Sequence, residues 1–268
     1  MKTPTLTVLR EAITRARKAN QRKRIKYAVP SLWSGVNTKA KRSWVDPFDY
    51  YLSVIKKIQK TRKGGRGTKS QGGEWTRTAL VYNLFVRTTT AFDHDGNGKL
   101  DLPSNKSGFR ETGTFLKSIA FLPYLKLLGV DTLHLLPITS IGKDGNKGTL
   151  GSPYAIRNSY EIEESLAEPI LGLDAATEFK AFVEAAHCLG FRVVLEFVFR
   201  TAAKDSDWVK EHPDWFYWIR EEVEMRENSS IDENKYGSPL FTKEELERIH
   251  ADVRVQRFGA LTPPHNVY

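Results

Sequence analysis

Residues 78–87 read TALVYNLFVR, a continuous β-rich apolar run of the kind expected where a strand is covered on both faces. Two shorter runs follow, 131–137 (DTLHLLP) and 191–199 (FRVVLEFVF). Helical patterns lie between them. Residues 114–128 end at Gly129, a plausible C-cap glycine. Residues 173–189 start from Asp174 as N-cap, place Phe179, Phe182, Val183 and Ala186 on one face, and stop before Gly190. The order strand–helix–strand–helix–strand predicts an α/β fold with a parallel sheet and right-handed crossovers. The pattern fits an open doubly wound sheet as well as a closed barrel. No glycine-rich phosphate fingerprint follows the first strand, which argues against a dinucleotide fold.

Outward from this centre the composition changes. Residues 1–76 hold 19 Lys+Arg and 4 Asp+Glu, a net of +15, while the remainder of the 268 residues is acidic by 6, so the overall +9 is carried by the N-terminal quarter. Within that quarter, residues 6–26 predict a basic helix with Leu6, Leu9, Ile13 and Ala16 at helical spacing, and a turn follows around residues 30–41. Residues 46–62 predict a second helix with Asp46 as N-cap and Pro47 at its first position. Residues 63–74 (KGGRGTKSQGGE) read as a linker. Beyond Asp205 the chain is polar and irregular, except for a helix over 242–249 opened by a Thr242/Glu245 capping box. The run Arg10, Arg15, Arg17, Lys18, Arg22, Lys23, Arg24, Lys26 could hold phosphates or an anionic membrane. No nucleic-acid motif accompanies it, so a solvated helix face packed on the sheet domain is the preferred reading. Trp33 and Trp44 are candidates for a small sugar-binding or core-packing unit. Cys188, alone, excludes an intrachain disulfide and reads as a small core hydrophobe. The absence of a signal-peptide pattern and of a long apolar run points to a cytoplasmic setting and to no membrane partner.

The sharpest local motif is Asp93-His-Asp95-Gly-Asn97-Gly-Lys99-Leu-Asp101. Oxygen-bearing side chains at positions 1, 3, 5 and 9, with glycine at 6 and a free carbonyl at 7, suit a loop that wraps a hard cation. Position 12 of an EF-hand would be Glu and is Ser104 here, so this is not an EF-hand. A polar Asp/Gly turn is the plainer alternative. After the second strand, Gly151-Ser-Pro-Tyr154-Ala-Ile-Arg157-Asn158-Ser-Tyr160 offers tyrosines that could stack on a sugar or fill the loop's own interior.

Taken in order, these motifs make the stretch from Tyr82 to Trp218 resemble the opening of the α-amylase family (glycoside hydrolase family 13) barrel. They are a first strand with its cation loop, Gly129 to Pro137 into the second strand, Tyr154 to Tyr160, and a third strand with an acidic, aromatic loop behind it. The resemblance implies a partial (β/α)8 TIM barrel, comprising its first three strands and the start of the insertion after the third, with a basic helical N-terminal extension. The implied domains are 1–76, 77–218 and 219–268. It implies a structural calcium held by Asp93, Asp95, Asn97, the Lys99 carbonyl and Asp101. It implies α-glucan or maltooligosaccharide binding by Tyr154, Asn158 and Arg200, with Glu196 in the place of the family's third-strand Asp.

Arg200 and Thr201 stand where the family has Asn and His, a departure shared by certain maltosyltransferases of the family. Arg200 is read first as an ion-pair partner of Glu196 or Asp205, and second as a binder of phosphate or carboxylate. Asp205, Asp207 and Glu211 read as surface or capping residues. The carboxylates of a retaining mechanism would come from later strands, so no catalytic residue is assigned and the 268 residues are expected to be inactive. The function implied is an α-glucan hydrolase or transglycosidase. The alternative is a non-catalytic barrel relative acting as a carbohydrate-binding or interaction protein.

Overall fold

A computed structural model describes residues 3–34, 40–61, 73–146, 148–216, 241–257 and 259. The chain divides into two compact units, Met1–Asp207 and Trp208–Tyr268. Almost all of the expected linker at 63–74 lies outside the described residues.

The first unit opens with helix α1 (Thr5–Ala19), strand β1 (Tyr27–Pro30), the short helix α2 (Ser31–Ser34), strand β2 (Arg42–Val45) and helix α3 (Pro47–Lys60). It continues through β3 (Val81–Leu84), α4 (Val86–Thr89), α5 (Phe115–Leu127), β4 (Thr132–Leu135), β5 (Thr139–Ile141), β6 (Ile156–Ile162), α6 (Ala175–Cys188) and β7 (Arg192–Leu195). Strands β3, β4 and β7 form a parallel sheet in that order, with Asn83, His134 and Val194 in register across it. Helix α7 (Asp207–Glu211) follows.

Side chains alternate along a strand, so each strand presents two faces. Leu84, Leu133 and Leu135 join α5 and α6 in the core, and α1 and α3 pack in turn on α6 and α5. The basic run therefore belongs to an integral element. Leu6, Leu9 and Ile13 on α1 are buried, and each contributes at most about 1.5–3 kcal/mol by burial. Four of the cations, Arg10, Arg15, Arg17 and Lys18, occupy the exposed face of the same helix, and the other four follow its C-terminal end.

Helix α1 stops at Ala19, short of the expected residue 26. Past Ala16 no apolar residue falls on the buried stripe, and the Asn20 side chain caps the Ala16 carbonyl at 2.9 Å. The stretch read as a turn at 30–41 is flanked by an antiparallel pair, β1 with β2. The stretch read as a loop at 151–160 runs into β6, which pairs antiparallel with β5 through an irregular register. Gly142, at the end of this hairpin, cannot carry a side chain: a Cβ there would lie 2.2 Å from that of Ala203.

The second unit contains α8 (Lys243–Arg254), opened by the expected reciprocal capping box. In its N-terminal part the rings of Trp215 and His212 stack at 3.9 Å. Among the described residues, no helix is long and apolar enough to cross a membrane.

Candidate functional site

The face of the sheet turned away from α5 and α6 carries a polar row near the C-terminal ends of its strands. Asn83 of β3 faces His134 of β4, with Oδ1 and Nδ1 3.3 Å apart. His134 Nε2 in turn lies 4.0 Å from Glu196 Oε2, one residue past β7. Glu196 extends the sheet ladder, its N–H donating to the Leu135 carbonyl at 2.9 Å. Tyr154, in the β5–β6 connection, completes the row. Slight desolvation and then a hydrogen bond to the Glu196 carboxylate raise its phenol pKa. The Tyr154 ring is 43% exposed and Tyr160 is 86% exposed, so neither fills the interior of its loop. The loops after β3 and β4 are tied together: Arg87 donates to the Leu150 carbonyl at 2.6 Å and the Gly151 carbonyl at 3.0 Å.

The other expected binding residues behave differently. Asn158 uses both ends of its amide internally, donating to Asp207 at 3.0 Å and accepting from the Tyr160 N–H at 2.9 Å. Arg200 pairs with neither Glu196 nor Asp205, contrary to the expectation from sequence. Asp205 accepts instead from the Lys143 N–H at 2.8 Å and the Asp144 N–H at 3.4 Å, and these bonds leave its pKa lowered against the opposing effect of burial. Arg200 and Thr201 are exposed.

The Asp93 loop is a second, separate construction, packed against β1 and β2. Asp93 gathers the N–H groups of Gly96, Asn97 and Gly98 at 2.7–3.0 Å and approaches Arg42 at 3.7 Å. Gly96 lies under the Trp44 ring, where a Cβ would stand 2.8 Å from the indole. The hub of the loop is a residue the motif did not include. Glu111 is fully buried and accepts from the backbone of His94, Asp95 and Asp101 and from the side chain of Asn105, at 2.8–3.2 Å.

Asp93, Asp95 and Glu111 each offer an oxygen within 4.8 Å of the others. These are hard donors of the kind calcium takes, so the donor set fits that ion. Asp101 lies outside this cluster and accepts from Asn97 Nδ2 at 3.0 Å, while the Lys99 N–H donates to Asn97 Oδ1 at 2.8 Å. Within the loop, His94 stacks on Tyr27 and hydrogen-bonds the Ala28 carbonyl at 2.7 Å.

No family profile matches the chain. Curated relatives do. An α-1,4-glucan:maltose-1-phosphate maltosyltransferase of Cereibacter sphaeroides is 40% identical over 131 residues, which is 44% of this chain and 21% of that protein. A maltosyltransferase of the same description from Mycolicibacterium smegmatis is 34% identical over 159 residues, 54% of this chain and 20% of that protein. Over the matched residues the chain is similar to enzymes of the α-amylase family.

Among solved structures, an α-amylase from Lactobacillus plantarum is 33% identical, with a TM-score of 0.43 over 55% of this chain and 28% of that one. The matched segment spans about a fifth of the length of the curated relatives. Of the row, Tyr154 and Glu196 lie in the sequence motifs, Tyr154 as an expected sugar platform and Glu196 as an expected structural residue. Asn83 and His134 were missed, and the one available signal was a polar residue inside each apolar strand run.

Proposed function

We propose that β3, β4 and β7 are the first three strands of an α-glucan-acting (β/α)8 barrel, and that the polar row is part of its saccharide-binding floor. The observation that carries this reading is the Asn83–His134–Glu196–Tyr154 row with its exposed Tyr154 ring, in a chain 40% identical over 131 residues to a maltosyltransferase. Barrel enzymes assemble their sites at the C-terminal ends of the strands. Tyr154 stacks on a sugar ring, and Glu196 receives its hydroxyls. The chain binds maltotriose, and Tyr154→Ala weakens binding about fivefold, a loss of about 1 kcal/mol. Calorimetric titration checks this, and equal affinity of both chains removes Tyr154 from the site.

The finer reading is glycosyl transfer from a sugar phosphate. The relatives' description names maltose 1-phosphate, and Arg200 presents an exposed guanidinium that is not neutralised by Glu196 or Asp205. A charge-assisted contact to phosphate contributes about 1.5–3 kcal/mol. Maltose 1-phosphate then binds at least tenfold tighter than maltose, and Arg200→Gln abolishes the difference. A retaining mechanism needs two carboxyl groups about 5–5.5 Å apart, and the row holds one, Glu196. On its own the chain is therefore a binding segment without turnover. Release of nitrophenol from a nitrophenyl maltoside by this chain would contradict that statement. The Asp93–Asp95–Glu111 cluster is proposed to hold a structural calcium that stiffens its loop, outside the chemistry.

A further inference from the structure

His134 is the centre of the row, and its two nitrogens face unlike neighbours. Asn83 Oδ1, 3.3 Å from Nδ1, can only accept, so the proton of a neutral imidazole sits on Nδ1. That leaves Nε2 with a bare lone pair, aimed at Glu196 Oε2 across 4.0 Å. Glu196 Oε2 is likewise an acceptor. The gap is too long for a hydrogen bond, and neither atom has a proton to place in it. The two side chains remain about a third exposed, so the gap opens to solvent.

We infer that His134 Nε2 and Glu196 Oε2 are a matched pair of acceptors for a sugar hydroxyl donor, and that Asn83 is the positioning residue that keeps Nε2 free to accept. This rests on the α-glucan reading above and adds to it a specificity element: a hydroxyl, or adjacent hydroxyls, must reach the gap while the ring lies on Tyr154. A site that leaves an acceptor such as His134 Nε2 unpaired rejects an analogue lacking the hydroxyl far more strongly than an apolar pocket would. Asn83 exerts its effect through the tautomer and without touching the sugar.

The test uses the 268-residue chain, with nitrogen-15 correlation spectra of His134 and titration with maltotriose. The unbound chain at pH 7.5 shows the Nδ1–H tautomer. Asn83→Asp is isosteric but adds a negative charge, so His134 becomes an imidazolium and its new Nε2–H closes on Glu196. The spectrum then reports both nitrogens protonated, and maltotriose binding falls at least tenfold with the melting curve retained. His134→Phe keeps a ring, removes the acceptor, and weakens binding to a similar extent. An Nε2–H tautomer or an imidazolium in the unsubstituted chain overturns the acceptor pair whatever the sugar result. Binding that survives Asn83→Asp, with His134 doubly protonated, overturns the role of Asn83. An Nδ1–H tautomer in a chain that binds no maltotriose removes the saccharide occupant and the α-glucan reading together.

Discussion

Lys117 has no exposed surface, and its ammonium donates to the carbonyls of Arg110 and Thr112 and stands 3.3 Å from Glu168. Glu168, also buried, accepts in addition from the Thr114 hydroxyl at 3.0 Å and the Arg110 N–H at 3.1 Å. Removing one member of such a pair strands the other charge, so Lys117→Met costs about 3–5 kcal/mol, read from urea unfolding. A loss under 1 kcal/mol would show the pair to be dispensable. Two neighbouring groups set the pH profile in opposite directions. Burial first, then the charge of Lys117, lower the His94 pKa from 6.5 to about 3. As pH falls from 6.5, the unfolded chain takes up a proton that the folded chain refuses, and stability drops by about 1.4 kcal/mol per pH unit. Burial first, then the charge of Glu168, raise the Glu178 pKa well above 4.5. Above 4.5 the folded chain keeps a proton that the unfolded one has released, so this contribution is lost as pH rises through the folded value. Below 6.5, from 4.5 up to the folded Glu178 value, the two slopes oppose each other. Glu178→Gln therefore unmasks the acid loss of His94 in thermal melts across that window, and a profile still flat there would refute the assignment.

At the scale of elements, α1 has no side-chain cap of its own, because its N-cap is Pro4. Glu184 of α6 supplies one, accepting from the Thr5 hydroxyl at 2.9 Å and the Leu6 N–H at 3.0 Å. A carboxylate there also meets the positive end of the helix dipole. Glu184→Ala destabilises the chain by about 1 kcal/mol and speeds amide exchange in the first turn of α1. Unchanged protection would mean that water serves as well. This dependence also explains what was legible. Helices α3, α6 and α8 announce themselves because Asp46, Asp174 and Thr242 cap them from adjacent sequence. The β1–β2 pair does not: its four-residue strands are held by distant groups, the His94 carbonyl on the Ala28 N–H at 2.7 Å and the Asp93 loop beneath Trp44. The site divides the same way. Asp93, Asp95, Tyr154 and Glu196 sit in local patterns, whereas Glu111 and the Asn83–His134 contact gain their meaning only from spatial neighbours.

For the molecule as a whole, a cation bound at Asp93, Asp95 and Glu111 would favour the folded state by mass action. Calcium at a hundredfold above its dissociation constant adds about 2.7 kcal/mol. The melting temperature then rises with calcium in the unsubstituted chain and stays fixed in Glu111→Gln. No shift at millimolar calcium removes the ion from the account. The docking of α1 on α6 has a temporal side as well. The Glu184 carboxylate that closes the first turn of α1 lies 179 residues beyond Thr5. At a synthesis rate of about 5–20 residues per second, α1 waits roughly ten to forty seconds for that partner to be made. Throughout most of that interval α3 is the neighbour already made, and the oily stripe of Leu6, Leu9 and Ile13 is only partly seated, so the newborn chain is a client of ribosome-associated chaperones until α6 arrives.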